Sequence, residues 1–374
     1  MTRVAVITGL CIHNDAISAA VADQVRMLDT FPSVDRVVLF GEHIQRTLPC
    51  PTYEVRTPGE LLDHREFASA DIAIFHWGIR YGLFDALALQ PERGPSIAVL
   101  FHNCTPEHLV PEHSRANARQ SILQAQLMLR DDIQLWTFSE FNRATLESWG
   151  VPESRIATVP FRIESPRALK DRRRADTFDI ASIGRFVPAK GQLTLIEALA
   201  HLDDELRERT CVRFAGNAKF SDPDYVSLLQ TRALELGVRR HICFVGEPVD
   251  DDLWTLFEKS HLVVSTSLHE GLCVPIIEGY IAGCRAIGTT DGNLPFVVQS
   301  PDSVVPPNDP AALAAALTDA ATTIRSGVAI DRTGSDRIIE FHGEHHVRRS
   351  LDQAIRLLVE GSIGRAALNG VSVR

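Results

Sequence analysis

The segment LVVSTSLHEGLCVPIIEG, residues 262–279, contains the local pattern on which our fold assignment rests. A short β-branched run is followed by small polar residues, and then by an apolar helical pattern that opens with Val274 and Pro275. Proline is favoured in the first turn of a helix, so the segment predicts a buried strand, a turn and a helix. Ligands in open parallel sheets bind outside the carboxyl ends of the strands, and this turn lies at such an end.

The same alternation of β-branched runs with helical patterns extends over nearly the whole chain, which is typical of parallel βαβ units. We predict strands at residues 4–8, 36–40, 71–75, 96–101, 134–138 and 156–159, and again at 178–183, 212–215, 242–245, 262–265 and 285–288. Residues 160–177 are polar, hold two prolines and lack a period, as expected of a linker. We therefore predict an α/β protein with two Rossmann-like domains facing each other across a cleft, at 1–165 and 166–340, and a final helix and tail at 341–374.

Composition narrows the class of protein further. The 374 residues include 38 basic and 48 acidic side chains, for a net charge of −10, which argues against nonspecific nucleic-acid binding. The N-terminal apolar run is too short for a secretory signal, and no apolar stretch approaches the ~20 residues of a membrane span. The seven cysteines are scattered without a C-x-x-C pair, as in a cytosolic protein with reduced thiols and no zinc site.

Two carboxylates lie in the turn and helix of the opening segment. Glu270 is at the mouth of the turn and Glu278 is on the helix, where each can accept hydrogen bonds from sugar or ribose hydroxyls. The alternative is a capping acid and a surface acid on an amphipathic helix. The backbone N–H groups that precede the helix form an anion site in either case; they belong to Gly271, Leu272, Cys273 and Val274.

A second loop, GRFVPAKG at residues 184–191, follows the first predicted strand of the C-terminal domain. A diphosphate leaving group gains charge as its bond to a sugar breaks, and cations placed beside it stabilise the transition state. Arg185 can grip phosphate in a bidentate fork, and Lys190 acts as a point charge. The alternative is two solvated basic residues in a loop.

Polar residues also follow two strands of the N-terminal domain. His102 and Asn103 come directly after the strand at 96–101, and Asn103 can instead shape the turn. Trp77 and Arg80 follow the strand at 71–75. Trp77 can stack against an acceptor sugar and Arg80 can bind an acceptor phosphate, but a packed aromatic beside a surface arginine explains them equally well.

Several of these segments together resemble glycosyltransferase family 4. Glu270 and Glu278, separated by seven residues, match its E-x7-E signature, and residues 269–292 are similar to its EGFG-P-EA-A-G-PV stretch. Residues 184–191 resemble the family's GR-(L/F)-x-P-x-K-G, and FHNCTP at 101–106 looks like the Y-H-N-x-T-P of one branch. VGEPV at 245–249 resembles F-x-G-x-V.

The resemblance implies the GT-B fold, transfer with retention of configuration, and no obligatory metal or other cofactor. It implies that Glu270 contacts the donor sugar, Glu278 the ribose, and that His102 faces the reaction centre. It also implies that Gly9 lets the backbone approach the donor phosphates, and that the turn containing Glu247 meets the nucleotide base. In many GT-B proteins the final helix returns to the first domain, and we expect the same here.

The sequence departs from the family at two points. Phe161-Arg162 replaces a frequent Asn-Gly in the linker, and Phe296 replaces the glutamate that usually follows GG-x-P. Both departures concern the choice of donor. Two D-x-D patterns, 222–224 and 250–252, precede helical runs, so helix capping explains them better than metal binding.

We therefore expect a cytoplasmic hexosyltransferase, with the inner face of the membrane as a further location through peripheral contact. It would use a nucleotide-sugar donor and a glycan, lipid-linked or small-molecule acceptor. The candidate catalytic residues are His102, Glu270, Arg185 and Lys190. A nucleotide-sugar epimerase of GT-B-like fold and a non-catalytic sugar-nucleotide-binding subunit remain the alternatives. The sugar, the base, the acceptor and the oligomeric state cannot be read from the sequence.

Overall fold

The structure, a computed structural model, describes residues 2–13, 15–89, 94–248, 250–300, 303–327 and 331–369. The chain forms two compact units: the first comprises Met1–Arg162 with Glu344–Arg374, and the second comprises Ile163–Gly343. Each boundary lies three residues from the position predicted from the sequence. The final helix is grouped with the first unit.

The first unit is built on a parallel sheet of seven strands in the order β3-β2-β1-β4-β5-β6-β7. Its interior strands carry continuous apolar runs because helices cover both faces of a parallel sheet. Only β3, three residues long, has no counterpart in the sequence prediction. The strands are β1 Thr2–Cys11, β2 Val34–Ile44, β3 Thr52–Glu54, β4 Ile72–Trp77, β5 Ser96–Phe101, β6 Ile133–Thr137 and β7 Ile156–Thr158.

The α-helices of this unit are α1 Ala16–Leu28, α2 Pro58–Leu62, α3 Arg65–Ala68, α4 Glu112–Ala125, α5 Glu140–Ser148 and, from the chain's end, α14 Glu344–Asn369. Asp15 caps α1 by accepting a hydrogen bond from the Ser18 N–H at 2.8 Å. The apolar face of α1 is buried, and two polar side chains, Ser18 and Gln24, are buried with it. Arg162 joins α1 to α14 through Asp23 at 2.7 Å and Glu344 at 3.1 Å.

The second unit has a parallel sheet of six strands in the order β10-β9-β8-β11-β12-β13. The two-residue strand β13 is absent from the sequence prediction, and the other five occur where predicted. Because the strands are parallel, their carboxyl ends share one edge, and the loops after β8, β11 and β12 are neighbours there. The strands are β8 Phe178–Ile183, β9 Thr210–Ala215, β10 Ile242–Gly246, β11 Leu262–Ser265, β12 Arg285–Thr289 and β13 Val304–Val305.

The α-helices of the second unit are α6 Gln192–His201, α7 Asp204–Arg209, α8 Pro223–Glu235, α9 Asp250–Lys259, α10 Val274–Ile281, α11 Leu294–Val297, α12 Pro310–Arg325 and α13 Thr333–Phe341. Asp222 caps α8, accepting from the Asp224 N–H at 3.0 Å, which accounts for the first D-x-D pattern. In the second pattern, Asp251 pairs with Arg167 at 3.4 Å. Among the residues described, no helix combines the length and hydropathy needed to cross a membrane.

The segment predicted to be a plain linker is anchored to the second unit. Glu258 of α9 is buried, at 1% exposure, and its Oε1 accepts from Arg167 Nη1 at 2.6 Å and from the Lys170 N–H at 2.8 Å. Its other oxygen lies 3.1 Å from Arg172 Nε. Arg173 donates to the Ser260 carbonyl at 2.6 Å. The basic run at 170–174 therefore serves the fold of this unit.

This anchor generates a stability prediction. Replacing Glu258 with Gln should lower the free energy of unfolding by about 2 kcal/mol, since hydrogen bonds to a buried charge are lost while the cations remain. Urea denaturation measures the effect. The matched control is Glu235→Gln, which removes an exposed partner of Arg232 and should change the free energy by less than about 0.5 kcal/mol.

The same variant has a defined pH signature. The hydrogen bond from Arg167 lowers the pKa of Glu258. The ionised carboxylate therefore adds to the free energy of unfolding at neutral pH, and this addition is lost as the pH falls through that pKa. The difference in stability between the native protein and the Gln variant should therefore shrink on acidification. A difference that stays constant down to pH 3 would contradict the assignment.

Candidate functional site

Two loops of the second unit are fastened together at the carboxyl edge of the sheet. One joins β8 to α6 and contains Arg185 and Lys190; the other joins β11 to α10 and contains Glu270. The Leu268 N–H donates to the Ala189 carbonyl at 2.8 Å. The Thr266 hydroxyl donates to the Lys190 carbonyl at 3.1 Å. These two hydrogen bonds set the relative position of the two loops.

The fastening depends on a glycine between Lys190 and α6. Gly191 has φ 62°, in the left-handed region, and a Cβ at this position would lie 2.1 Å from the Thr266 carbonyl oxygen. Only glycine satisfies both conditions, because it lacks the Cβ that would clash and adopts positive φ readily. The K-G pair in the sequence is thus a conformational requirement as well as a motif.

Lys190 and Glu270, which are 80 positions apart in the sequence, meet in this loop pair. Lys190 Nζ lies 2.5 Å from Glu270 Oε1, which also accepts from the Ser267 hydroxyl at 2.7 Å. The two side chains are 22% and 13% exposed. An ammonium has three donors, so the bond to Glu270 leaves Lys190 able to donate to an anion. The carboxylate in turn is held in a single orientation.

A third loop, between β12 and α11, packs against the backbone of Glu270. Gly292 has φ 60°, and a Cβ there would lie within 2.5 Å of the Glu270 backbone nitrogen and oxygen. The Asn293 N–H donates to the Glu270 carbonyl at 2.8 Å, and its side-chain amide donates to the Leu272 carbonyl at 3.2 Å. The Thr289 hydroxyl donates to the Ser267 carbonyl at 2.6 Å.

Two helices begin at this site without a side-chain cap. Gly191 precedes α6 and Cys273 precedes α10, and neither supplies a capping hydrogen bond. Elsewhere in the described chain aspartates cap α1, α8 and α12, whereas α4 and α13 also lack a side-chain cap. An uncapped helix N-terminus presents unsatisfied N–H groups and positive partial charge, which favour a bound anion.

Cys273 occupies an unusual backbone position in this turn. Its φ is 69°, which is rare for a residue with a side chain, and the side chain is buried. Desolvation, assisted by the neighbouring Glu270 carboxylate, raises the pKa of its thiol to about 12. Cys273 is thus a neutral thiol at physiological pH. The neighbouring Leu272 is buried, whereas Gly271 and Val274 are half-buried.

The other predicted donor residues lie in the same unit. Arg185 is exposed, and its carbonyl accepts from the Gln192 side chain at 2.8 Å, which fixes the backbone that carries it. Glu278 is half-buried on α10. Glu247 is exposed at the end of β10 and accepts from the Asn217 side chain at 2.7 Å.

In the first unit His102 lies at the end of a chain of hydrogen-bonded side chains. Its Nε2 is 3.0 Å from Nδ1 of His76, and Nε2 of His76 is 2.8 Å from Oε1 of Gln24. His76 is buried on β4, and the His102 ring packs against Phe138 with centroids 5.2 Å apart. Burial lowers the pKa of His76 well below its usual value and that of His102 to about 3. Both rings are therefore neutral at physiological pH.

Two residues proposed for ligand contact occupy the core instead. For Trp77 an acceptor-sugar contact was one of two equal alternatives, and the structure favours the packed aromatic, since Trp77 ends β4, is 1% exposed and stacks on Phe101 at 5.5 Å. Gly9 was assigned to donor phosphates, but β1 continues through Cys11 and the Tyr81 ring covers Gly9. A Cβ on Gly9 would lie 2.1 Å from that ring. Both expectations are corrected, because each strand runs further than the sequence pattern indicated.

The remaining first-unit candidates have local roles. Arg80 is exposed, its guanidinium lies 3.8 Å from Asp85, and its N–H donates to the Ser121 hydroxyl at 2.9 Å. Asn103 has φ 73°, and its side chain bonds Asn142 at 2.7 Å. Asn103 thus shapes the turn after β5. No cluster of three or more His, Cys, Asp or Glu side chains able to hold a metal occurs among the described residues.

Sequence reasoning missed several residues that the structure brings to these sites. In the second unit they are Thr266, Ser267, Thr289, Gly292 and Asn293. The polar run 289–293 follows a strand, so the rule of carboxyl ends would have found it. In the first unit they are His76 and Gln24. A glutamine at an apolar-face position of α1 was the available signal.

Comparison with known proteins places the second unit in a described class. Residues 168–323 match the family described as Glycosyl transferases group 1, so this unit contains a domain of that type. WaaG, a glycosyltransferase involved in lipopolysaccharide biosynthesis, superposes with a TM-score of 0.71 at 13% identity, over 95% of this chain and 99% of WaaG. The fold is therefore that of GT-B glycosyltransferases, with two parallel-sheet α/β domains.

Curated relatives match over shorter regions. The serotype-specific mannosyltransferase WbdA of Escherichia coli is 29% identical over 155 residues, which cover 41% of this chain and 19% of WbdA. The D-inositol 3-phosphate glycosyltransferase of Corynebacterium jeikeium is 25% identical over 219 residues, which cover 54% of this chain and 52% of that protein. The chain thus spans about a fifth of the first relative and about half of the second.

The glycine that fastens the loops generates a prediction with a matched control. Gly191→Ala and Gly237→Ala both place a side chain at positive φ, but a Cβ at Gly237 meets nothing within 4 Å. Both variants bear the left-handed penalty of about 1–2 kcal/mol. Gly191→Ala should lose about 2 kcal/mol more, because its Cβ forces the Thr266 backbone away. Denaturant unfolding of the two proteins makes the comparison, and equal losses would show that the loops are not fastened here.

Proposed function

We propose that this protein is a retaining glycosyltransferase of family 4 that transfers a hexose from a nucleotide-sugar donor to a glycan, lipid-linked or small-molecule acceptor. The observation that carries the proposal is the contact between Lys190 and Glu270 at 2.5 Å, beside two uncapped helix N-termini. A cation and helix N-terminal N–H groups suit a diphosphate, and a fixed carboxylate suits a sugar hydroxyl. The group 1 domain and the mannosyltransferase relative support the same class.

The donor assignment follows from the chemistry of the loops. Arg185 and Lys190 supply positive charge where the nucleoside diphosphate leaves, and the N-terminal ends of α6 and α10 add backbone donors. Glu270, held by Lys190 and Ser267, accepts hydrogen bonds from hydroxyls of the transferred sugar. Glu278, on the helix that follows, accepts the ribose hydroxyls.

Retention of configuration is proposed through a front-face displacement. The bond between the anomeric carbon and the diphosphate oxygen breaks while the acceptor oxygen bonds to the same face of that carbon, and the departing diphosphate takes the proton of the acceptor hydroxyl. The positive charge of Lys190 and Arg185 stabilises the departing diphosphate as this happens. We assign the acceptor side to the first unit, where His102 offers a neutral imidazole for a hydrogen bond with a substrate hydroxyl.

Loss of either cation should damage transfer. We expect Lys190→Ala and Arg185→Ala each to lower kcat/KM about 100-fold, roughly 3 kcal/mol of transition-state stabilisation. Radiolabelled or mass-spectrometric assay of transfer from a set of nucleotide sugars, including UDP-glucose and GDP-mannose, makes the measurement. Product analysis also separates transfer from epimerisation and from binding alone.

The control for these variants is Arg325→Ala. Arg325 is an exposed cation of the second unit that pairs with Glu205 at 3.0 Å, far along the chain from the loops. It should transfer at the native rate. Native rates for Lys190→Ala and Arg185→Ala with the identified donor would refute the donor assignment.

Transfer should also be independent of divalent metal, since protein cations balance the diphosphate in this proposal. Activity is measured after exhaustive EDTA treatment and gel filtration, and then with Mg²⁺ or Mn²⁺ added back. We expect rates within twofold of one another across these conditions. Abolished transfer that returns with either ion would assign the charge balance to a metal instead.

A further inference from the structure

The side chains of Gln24, His76 and His102 form a continuous hydrogen-bonded chain. The proposed function gives a role only to His102, and Gln24 and His76 have none so far. The donor–acceptor distances are 2.8 Å from Gln24 to His76 and 3.0 Å from His76 to His102. Gln24 and His76 are buried, at 8% and 1% exposure. A buried polar chain of this kind persists only when each member is satisfied by its neighbour.

The direction of the chain follows from the number of protons available. Oε1 of Gln24 faces Nε2 of His76, and an amide oxygen only accepts, so Nε2 of His76 carries the hydrogen. A neutral imidazole has a single N–H, which leaves Nδ1 of His76 as an acceptor. The hydrogen between the two rings therefore belongs to Nε2 of His102, and Nδ1 of His102 keeps its lone pair.

We propose that Gln24 and His76 are positioning residues that fix His102 in the Nε2–H tautomer, so that its Nδ1 accepts a hydrogen bond from a substrate hydroxyl. The inference rests on the proposed function for its catalytic meaning, while the tautomer is a property of the free protein. If the hydrogen bonds ran in the opposite direction, Nδ1 of His102 would carry the hydrogen and would donate it to the oxygen of a substrate hydroxyl. The polarity of the chain therefore decides whether His102 accepts a hydrogen bond from the substrate hydroxyl or donates one to its oxygen.

Gln24 sets the direction of these hydrogen bonds because the neighbouring charged group is already paired. Asp23, the adjacent residue on α1, is engaged by Arg162 at 2.7 Å. Around His102, the packed side chains are the His76 and Phe138 rings, and the neighbouring Cys104 thiol is buried with its pKa raised by burial. Burial, together with the neighbouring His102 ring in the case of His76, lowers the pKa of both rings and keeps them neutral, so the amide of Gln24 is the group that orients the chain.

The tautomer is measured directly in the full-length protein. Long-range ¹H–¹⁵N correlation spectra of ¹⁵N-histidine-labelled protein distinguish the two neutral forms, and His102→Ala assigns the signals. We expect the Nε2–H form for His102 at pH 7.5, and a mixture of tautomers in Gln24→Leu. Gln24→Glu, whose carboxylate only accepts, should restore the Nε2–H form. An Nδ1–H or doubly protonated His102 in the native protein would overturn the proposal.

Kinetics test the positioning role separately. Gln24→Leu should lower kcat about tenfold while the donor KM stays within twofold, and Gln24→Glu should recover most of that loss. The matched control is Gln124→Leu, another buried glutamine of the same unit, which bonds the Tyr81 carbonyl at 2.7 Å and should keep the native kcat. An unchanged kcat in Gln24→Leu beside normal native transfer would remove the positioning role.

Failure of the proposed function and failure of the positioning proposal give different results. If the native protein transfers no sugar, the proposed function fails, and the spectra still decide whether Gln24 and His76 fix the tautomer. If Gln24→Leu does not fold, the native tautomer alone confirms or overturns the polarity, and Gln24→Glu tests its origin.

Discussion

The close approach of the Gly191 backbone to the Thr266 carbonyl is the constraint on which the candidate donor site depends. The two loops it joins follow β8 and β11, which are neighbours in the sheet. The sheet brings the ends of the two strands near each other, but it does not by itself bring the two loops within hydrogen-bonding distance. The glycine does so, because any side chain at this point would separate Lys190 from Glu270.

Once the loops are fastened, the polar groups around them support one another. Glu270 accepts from Lys190 and Ser267, and its backbone is held by the Gly292–Asn293 turn. The carboxylate is thus placed before any ligand arrives, and placement of this kind reduces the entropy lost on binding. The first unit follows the same logic with neutral groups, since its chain of side chains fixes the polarity of His102 through buried hydrogen bonds.

The sequence predicted the architecture well where strands are long and apolar, and less well where a side chain's fate depends on distant neighbours. Strands β3 and β13 escaped prediction because they carry too little pattern, whereas β7, also three residues long, lies where a strand was predicted. The sequence left Trp77 open between a sugar contact and a packed aromatic, and only the structure shows that β4 extends to it and places it against Phe101. The polar residues at 160–177 predicted a linker, and its arginines Arg167 and Arg172 pair with Glu258, about 90 residues away, a partner that no local pattern indicates. By contrast, the loop that holds Glu270 and the loop that holds Lys190 were both found from their position after strands.

The distribution of helix caps adds a signal that is readable from sequence. Aspartate, serine or threonine side chains cap α1, α2, α5, α7, α8 and α12. Gly191, Cys273 and Asn293 precede α6, α10 and α11 without a capping hydrogen bond, and these three helices follow strands of the candidate site. Outside that site α4 and α13 also lack a side-chain cap. Leaving a helix uncapped forgoes about 1 kcal/mol, and at α6 and α10 it leaves helix N-termini that we propose bind the donor. An α/β sequence in which a strand leads into a helix with no polar cap therefore marks a place to look for an anion.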